Sequence, residues 1–106
     1  MDPKDVQARL DQVQLVDVRE PEEWKAGRIP DTQWIRTNEL GDRLEELDPG
    51  QPVVTVCRSG GRGGKMAKFL TERGYRADNL DGGIQAWADA GLPVRTPGDE
   101  RPGKVA

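Results

Sequence analysis

Apolar and polar positions along the chain form short alternating blocks, most of them ended by glycine or proline. Four blocks rich in β-branched or other apolar residues predict strands at residues 15–18, 33–36, 52–56 and 77–80. Between them, apolar residues recur three or four positions apart, which predicts helices over about 3–12, 21–26, 38–47, 65–73 and 84–90. Because strands and helices alternate, we expect a three-layer α/β domain with a mostly parallel sheet.

The segment 52–56 is the clearest strand, because it is nearly all β-branched. Such a run is typical of a parallel strand that is buried on both faces. Cys57 follows it directly, and four of the next seven residues are glycines. Since ligands of open α/β sheets bind at the carboxyl ends of the strands, Cys57 occupies the position expected of a functional residue.

Composition adds bounds on the class of protein. The chain has 106 residues, 34% of them apolar and 33% charged, which is typical of a soluble globular protein. We expect a single domain over residues 1–95 and a disordered tail, rich in Pro, Gly and charge, over residues 96–106. A formal net charge of −3 argues against nucleic-acid binding. No apolar run has the length of a signal peptide or membrane span, so we expect a cytoplasmic protein with no membrane association.

The chain has one cysteine and no histidine. An intramolecular disulfide is therefore excluded, and a structural zinc site is not expected. Nucleophiles activated by a histidine, such as Cys–His pairs and Ser–His–Asp triads, cannot be built from this chain. An activated nucleophile would depend on Arg, Lys, backbone N–H groups or a helix end.

The run after Cys57 supplies those groups. Its glycines let successive N–H groups point inward as an anion-binding nest, and the next helix directs its positive end to the same place. Arg58 and Arg62 add two permanent charges, so every group favours the thiolate over the thiol. An inert core cysteine or a nucleotide-binding loop is the alternative, but the run matches neither phosphate-loop pattern. We predict that Cys57 is the nucleophile and that the anion is bound by Arg58, Ser59, Gly60, Gly61 and Arg62.

Four segments of the chain, in the same order, resemble the signatures of the rhodanese homology domain. They are residues 16–24 (VDVREPEEW), 27–30 (GRIP), 57–62 (CRSGGR) and 80–87 (LDGGIQAW), the last followed by GLPV at 91–94. The resemblance covers about residues 4–94 and implies a rhodanese-like α/β/α fold with roughly five strands. Arg28 stands where the family usually has His, and Asp31-Thr32 where it usually has Gly-Ala.

The resemblance also implies an activity that needs no cofactor. Family members take a sulfane sulfur from thiosulfate or a persulfide, hold it as a cysteine persulfide, and pass it to cyanide, a thiol or a protein thiol. Cys57 would carry the sulfur, and the N–H groups from Arg58 to Arg62 would stabilise it. Asp17 and Arg19 would brace the site from the neighbouring strand, although an ordinary strand-end ion pair is an equal alternative.

Loop length separates two branches of related proteins. Phosphatases of the cell-cycle type and related arsenate reductases use a longer Cys-x5-Arg loop, whereas Arg62 gives Cys-x4-Arg here and Gly63 takes the next position. Without an arginine there, a phosphoryl group would lack its bidentate clamp, so sulfur transfer is favoured. Three hypotheses stay open: a sulfurtransferase enzyme, a persulfide-relay module serving one protein partner, and a non-catalytic regulatory domain. The retained Cys57 argues against the last.

Overall fold

A computed structural model describes residues 1–96. Its four strands form one parallel sheet in the order β2-β1-β3-β4, with β1 at Gln14–Asp17, β2 at Gln33–Trp34, β3 at Val53–Val56 and β4 at Ala77–Asn79. Four helices precede, separate or follow the strands, namely α1 Pro3–Ala8, α2 Pro21–Ala26, α3 Gly61–Glu72 and α4 Gly83–Asp89. The expected α/β fold with a parallel sheet is confirmed. The predicted disordered tail, apart from residue 96, lies outside the described residues.

The number of strands differs from the expected five, because residues 1–96 contain four. A single residue, Met1, lies beside the end of β4: its amino group donates to the Asn79 carbonyl at 2.6 Å, and its own carbonyl accepts from the Asp81 N–H at 2.8 Å. The Asp2 carboxylate then caps α1 by accepting from the Lys4 N–H. This cap and Pro3 begin α1 directly after Met1, so within residues 1–96 this edge of β4 is paired through Met1 alone.

The predicted helix over 38–47 is wrong. Two 3-10 turns replace it, at Leu40–Asp42 and Leu44–Glu46, and each is closed by a hydrogen bond between residues three apart. Gly41 and Asp42 are weak helix formers, and the tighter turns place both Leu40 and Leu47 in the core. Several predicted boundaries also shift, and the largest shifts are in three elements: α1 ends at Ala8 rather than near residue 12, α3 begins within the glycine run, and β2 ends at Trp34 rather than at residue 36.

Helices cover both faces of the sheet and form a core on each side. One hydrophobic cluster joins α1 and α4 to the sheet through Val6, Ile84 and Trp87, and the other contains Leu70 of α3. β3 contributes to both clusters, and all four of its residues are buried. The prediction that this strand is buried on both faces is therefore confirmed. Within residues 1–96, no helix is long and apolar enough to cross a membrane.

Candidate active site

Cys57 lies directly after β3 and belongs to the hydrophobic cluster on the α3 side of the sheet. Its side chain is nearly enclosed, with 1% of its surface exposed. The Gly60 N–H donates to the Cys57 sulfur at 3.0 Å. Gly60 adopts a left-handed conformation (φ 114°) as the N-cap of α3, a conformation that favours glycine. The turn thus brings the positive end of a twelve-residue helix to the thiol.

The backbone of the loop is oriented by α4. The carbonyls of Cys57 and Arg58 accept hydrogen bonds from the N–H groups of Ile84 and Gln85, at 2.8 and 3.0 Å. Because a trans peptide directs its carbonyl and its N–H to opposite sides, the N–H groups of Arg58 and Ser59 point away from α4. Within residues 1–96 these two N–H groups, like that of Gly61, have no hydrogen-bond partner, so they are available to an anion.

Two polar side chains at the ends of neighbouring strands hold the first turn of α3. The Thr55 hydroxyl donates to the Gly63 carbonyl at 2.6 Å, and the Asn79 amide donates to the Gly60 carbonyl at 3.0 Å. A Cβ at Gly63 would overlap the Asn79 side-chain oxygen. Neither side chain was predicted from the sequence. A signal was present for Thr55, which is the only polar residue within a buried run of valines.

Gly83, at the start of α4, makes the close approach of α4 to the loop possible. Its φ is +65°, and a Cβ there would lie 2.5 Å from the Cys57 and Arg58 carbonyl oxygens. We therefore expect Gly83→Ala to lower the free energy of unfolding by about 3 kcal/mol and to slow any reaction at Cys57, because the loop must move. Gly91→Ala is the matched control: Gly91 also has a positive φ (79°), but nothing lies within 4 Å of its Cβ position.

Urea unfolding of both variants measures the difference. Backbone strain alone costs about 1 kcal/mol, which is the loss expected for Gly91→Ala. Equal losses for the two variants would show that contact with the Cys57 loop has no part in the effect.

Asp17 and Arg19 form a fully buried ion pair at the end of β1. The Arg19 guanidinium contacts both Asp17 carboxylate oxygens at 2.9–3.0 Å and donates to the Gly27 carbonyl at 2.6 Å. Burial raises the pKa of Asp17, and the contacts with Arg19 oppose that rise. Asp17 is in register with Val56 of β3, so the pair lies on the strand beside Cys57 and ties β1 to the end of α2.

Arg62, in the first turn of α3, pairs with Glu23, which was not predicted from the sequence. Its two terminal nitrogens each donate to one oxygen of Glu23, both at 2.7 Å. This pairing lowers the pKa of Glu23. It also raises the pKa of Arg62, with a smaller contribution from the charge of Cys57. Arg62 therefore lies near the thiol as one half of an ion pair.

Arg58 and Ser59, the other predicted binding side chains, are exposed. Neither side chain makes a hydrogen bond or ion pair within residues 1–96. The structure thus brings a buried thiol, free N–H groups and one unpaired arginine together, and it places Arg62 in a pair beside them.

The family model for the Rhodanese-like domain matches residues 2–90. The chain belongs to this family. A protein of Allochromatium vinosum named sulfurtransferase is 41% identical over 91 residues, which are 85% of this chain and 85% of the relative. The thiosulfate sulfurtransferase GlpE of Pseudomonas syringae is 32% identical over 87 residues, or 80% and 82% of the two chains. A solved rhodanese-related protein of Thermoplasma volcanium superposes with a TM-score of 0.85 at 28% identity, covering 90% of this chain and 95% of that one.

Arg28, where rhodanese-like domains usually have histidine, lies in a stack beside the site. Its guanidinium is 4.3 Å from the ring centre of Trp24, and Trp24 is stacked on Trp34 with ring centres 5.3 Å apart. The Trp34 indole N–H donates to the Arg19 carbonyl at 2.9 Å, and the backbone of Arg28 pairs with that of Arg95. In this rhodanese-like domain, Arg28 therefore packs on α2 and is not part of the Cys57 loop.

A cavity of about 470 Å³ lies at the amino ends of the strands, whereas Cys57 follows the carboxyl end of β3. It is lined at the starts of β3 and β4 by Val53 and Ala77, and by Arg9 after α1. It is therefore separate from the thiol. Within residues 1–96 of this rhodanese-like domain, no group of three or more His, Cys, Asp or Glu side chains is arranged to hold a metal ion.

Proposed function

We propose that this protein is a sulfurtransferase that carries a sulfane sulfur on Cys57. The observation that carries the proposal is the Gly60 N–H bound to the Cys57 sulfur, in a loop whose neighbouring N–H groups are free. Donors arranged in this way stabilise a negative charge that is placed on sulfur. The relatives named as sulfurtransferases support the same activity.

The proposed reaction has two displacement steps on Cys57. The thiolate attacks the outer sulfur of thiosulfate, forming a bond between Sγ and that sulfur. The sulfur–sulfur bond of thiosulfate breaks, and its electron pair leaves with sulfite. Cyanide then attacks the outer sulfur of the persulfide, thiocyanate departs, and the electron pair of the broken bond returns to Sγ as the thiolate. A persulfide donor and a thiol acceptor follow the same course.

Each loop residue has a proposed role in these steps. The N–H groups from Arg58 to Arg62 stabilise the persulfide, with that of Gly60 on the Cys57 sulfur, and the exposed Arg58 attracts the anionic donor. Arg62 lies beside the loop as the partner of Glu23, whose carboxylate offsets its charge. Asp17 and Arg19 act as a brace that fixes the end of β1 against α2.

We propose that the activity resides in a single domain over residues 1–95. We also propose that it operates in the cytoplasm, where reducing conditions keep an unpaired thiol available. The partners are a small sulfane-sulfur donor and a thiol or cyanide acceptor, and a protein thiol is a second class of acceptor. The chemistry needs no cofactor.

Turnover assays test the function and the class of acceptor. Thiosulfate with cyanide, and glutathione persulfide with a thiol, are supplied to the purified protein, and thiocyanate or the new persulfide is measured. Steady turnover supports an enzyme. Loading of Cys57 without turnover supports a relay module that delivers sulfur to a protein partner. Absence of both loading and turnover with every donor would contradict the proposal.

We expect Arg58→Ala to weaken the use of anionic donors. Removing one positive charge beside the loop should raise the KM for thiosulfate about tenfold, while the free energy of unfolding changes by less than about 0.5 kcal/mol because Arg58 is exposed. Arg9→Ala is the control, since it removes the same charge near the amino ends of the strands, away from Cys57. An equal loss with an uncharged sulfane donor would contradict the role given to Arg58.

A further inference from the structure

The charged groups around Cys57 are mostly paired. Glu23 holds Arg62, and Asp17 holds Arg19. Among the described residues, this leaves Arg58 as the arginine of the loop that has no carboxylate partner. A donor that approaches Cys57 therefore meets one unpaired positive charge, although the loop contains two arginines.

The Glu23 carboxylate is fixed in place from two sides. One of its oxygens accepts from the Glu20 N–H at 3.1 Å, which forms the capping box of α2. The same oxygen and its neighbour accept from Arg62 at 2.7 Å, and only 15% of the Glu23 side chain is exposed. The stack of Trp24 on Trp34 further anchors this helix. Glu23 is thus a built part of the site and not a mobile surface carboxylate.

We propose that Glu23 is a specificity-determining residue that lowers the preference of the site for dianionic thiosulfate relative to donors with one negative charge at the transferring end. The inference rests on the proposed sulfurtransferase function. Glu23 neutralises Arg62, which lies in the first turn of α3 after the Cys57 loop. Coulomb energy scales with the product of the charges. Neutralising Arg62 therefore removes more attraction from a dianion than from a monoanion, so the rates of the two donors differ less than they would with two free arginines.

Two donors with the same chemistry isolate the effect of charge. Thiosulfate is a dianion and methanethiosulfonate is a monoanion, and each presents a terminal sulfur bonded to a sulfonyl sulfur. In both cases the Cys57 thiolate takes the terminal sulfur, and the electron pair of the broken bond leaves with sulfite or with methanesulfinate. The measured quantity is the ratio of the second-order rate constants for loading Cys57, thiosulfate over methanethiosulfonate.

Glu23→Gln is the central variant, because glutamine keeps the oxygen of the capping box and removes the charge. We expect it to raise the ratio about fivefold at low ionic strength and to lose the increase at high salt. The change should appear in the donor concentration that gives half-maximal loading rather than in the maximal loading rate. Glu22→Gln is the matched control: it removes the same charge from the exposed neighbouring position of α2 and should leave the ratio within about twofold.

A double-variant cycle separates charge from structural damage. Arg62→Ala leaves the Glu23 carboxylate unneutralised and should lower the ratio, whereas Glu23→Gln combined with Arg62→Ala removes a neutral pair and should return it close to the wild-type value. An unchanged ratio in Glu23→Gln, or an equal rise in Glu22→Gln, would overturn the inference. If neither donor loads the wild-type thiol, the sulfurtransferase function itself fails. If both donors load the wild-type thiol and the ratio is unchanged in Glu23→Gln, only the role of Glu23 is contradicted.

Discussion

Replacing Cys57 with serine is expected to lower sulfur transfer at least about a thousandfold. A hydroxyl is far less nucleophilic than a thiolate at neutral pH, and it cannot carry the sulfur as a persulfide. Serine keeps the size of the side chain and can accept the Gly60 N–H that now contacts the sulfur. The rate of thiocyanate formation from thiosulfate and cyanide measures the loss.

Cys57→Ala separates the chemistry from the packing. Cys57 is enclosed in an apolar cluster, so we expect each variant to change the free energy of unfolding by about 1 kcal/mol and to keep its circular dichroism spectrum. Both variants should be equally inactive. If the serine variant retained a tenth of the wild-type rate, Cys57 would not be the sulfur carrier.

Replacing Arg19 with alanine is expected to lower the free energy of unfolding by about 3–5 kcal/mol. The substitution leaves the Asp17 carboxylate fully buried without its cation, and it leaves the Gly27 carbonyl without its donor. For a domain whose total stability is about 5–15 kcal/mol, this is a large fraction. Urea unfolding at neutral pH measures it.

The pH dependence provides a sharper test of the Arg19→Ala loss. Burial raises the pKa of Asp17, and without the Arg19 guanidinium the backbone N–H of residue 19 is the contact that still opposes that rise. A carboxyl group whose pKa is higher in the folded state favours folding when it is protonated, so the loss should shrink as the pH falls and Asp17 becomes neutral.

Arg43→Ala is the control for the Arg19 variant. Arg43 pairs with Glu46 at the surface, where ion pairs contribute little to stability, so its replacement should leave the free energy of unfolding close to that of the wild-type protein. A similar small loss for Arg19→Ala, with no dependence on pH, would contradict a bracing role for the buried pair.

Local patterns in the sequence predicted most of the fold. Two examples are the β-branched run that forms β3 and the proline and glycine that bound α2. Each of these signals lies within a few residues of the element that it predicts. The position of Cys57 followed from the same logic, because the carboxyl end of a buried parallel strand can be recognised without knowing its neighbours. These features are all determined by local propensity and hydrophobic patterning.

The errors and omissions share a different cause. The segment 38–47 has a helical pattern, but its weak helix formers and the tertiary positions of Leu40 and Leu47 select 3-10 turns. The partner of Arg62 is 39 residues away, on α2, and Asn79 contacts the loop from another strand. Such contacts depend on how the elements pack in three dimensions, so a single sequence could indicate the candidate residues but not their pairing.

Intact mass measurement after incubation with thiosulfate tests the central claim most directly. We predict that the wild-type protein gains the mass of one sulfur atom, that the gain maps to Cys57, and that cyanide removes it. The Cys57→Ala variant should show no gain under the same conditions. Failure of the wild-type protein to gain sulfur from thiosulfate, methanethiosulfonate or glutathione persulfide would contradict the claim that Cys57 carries sulfane sulfur.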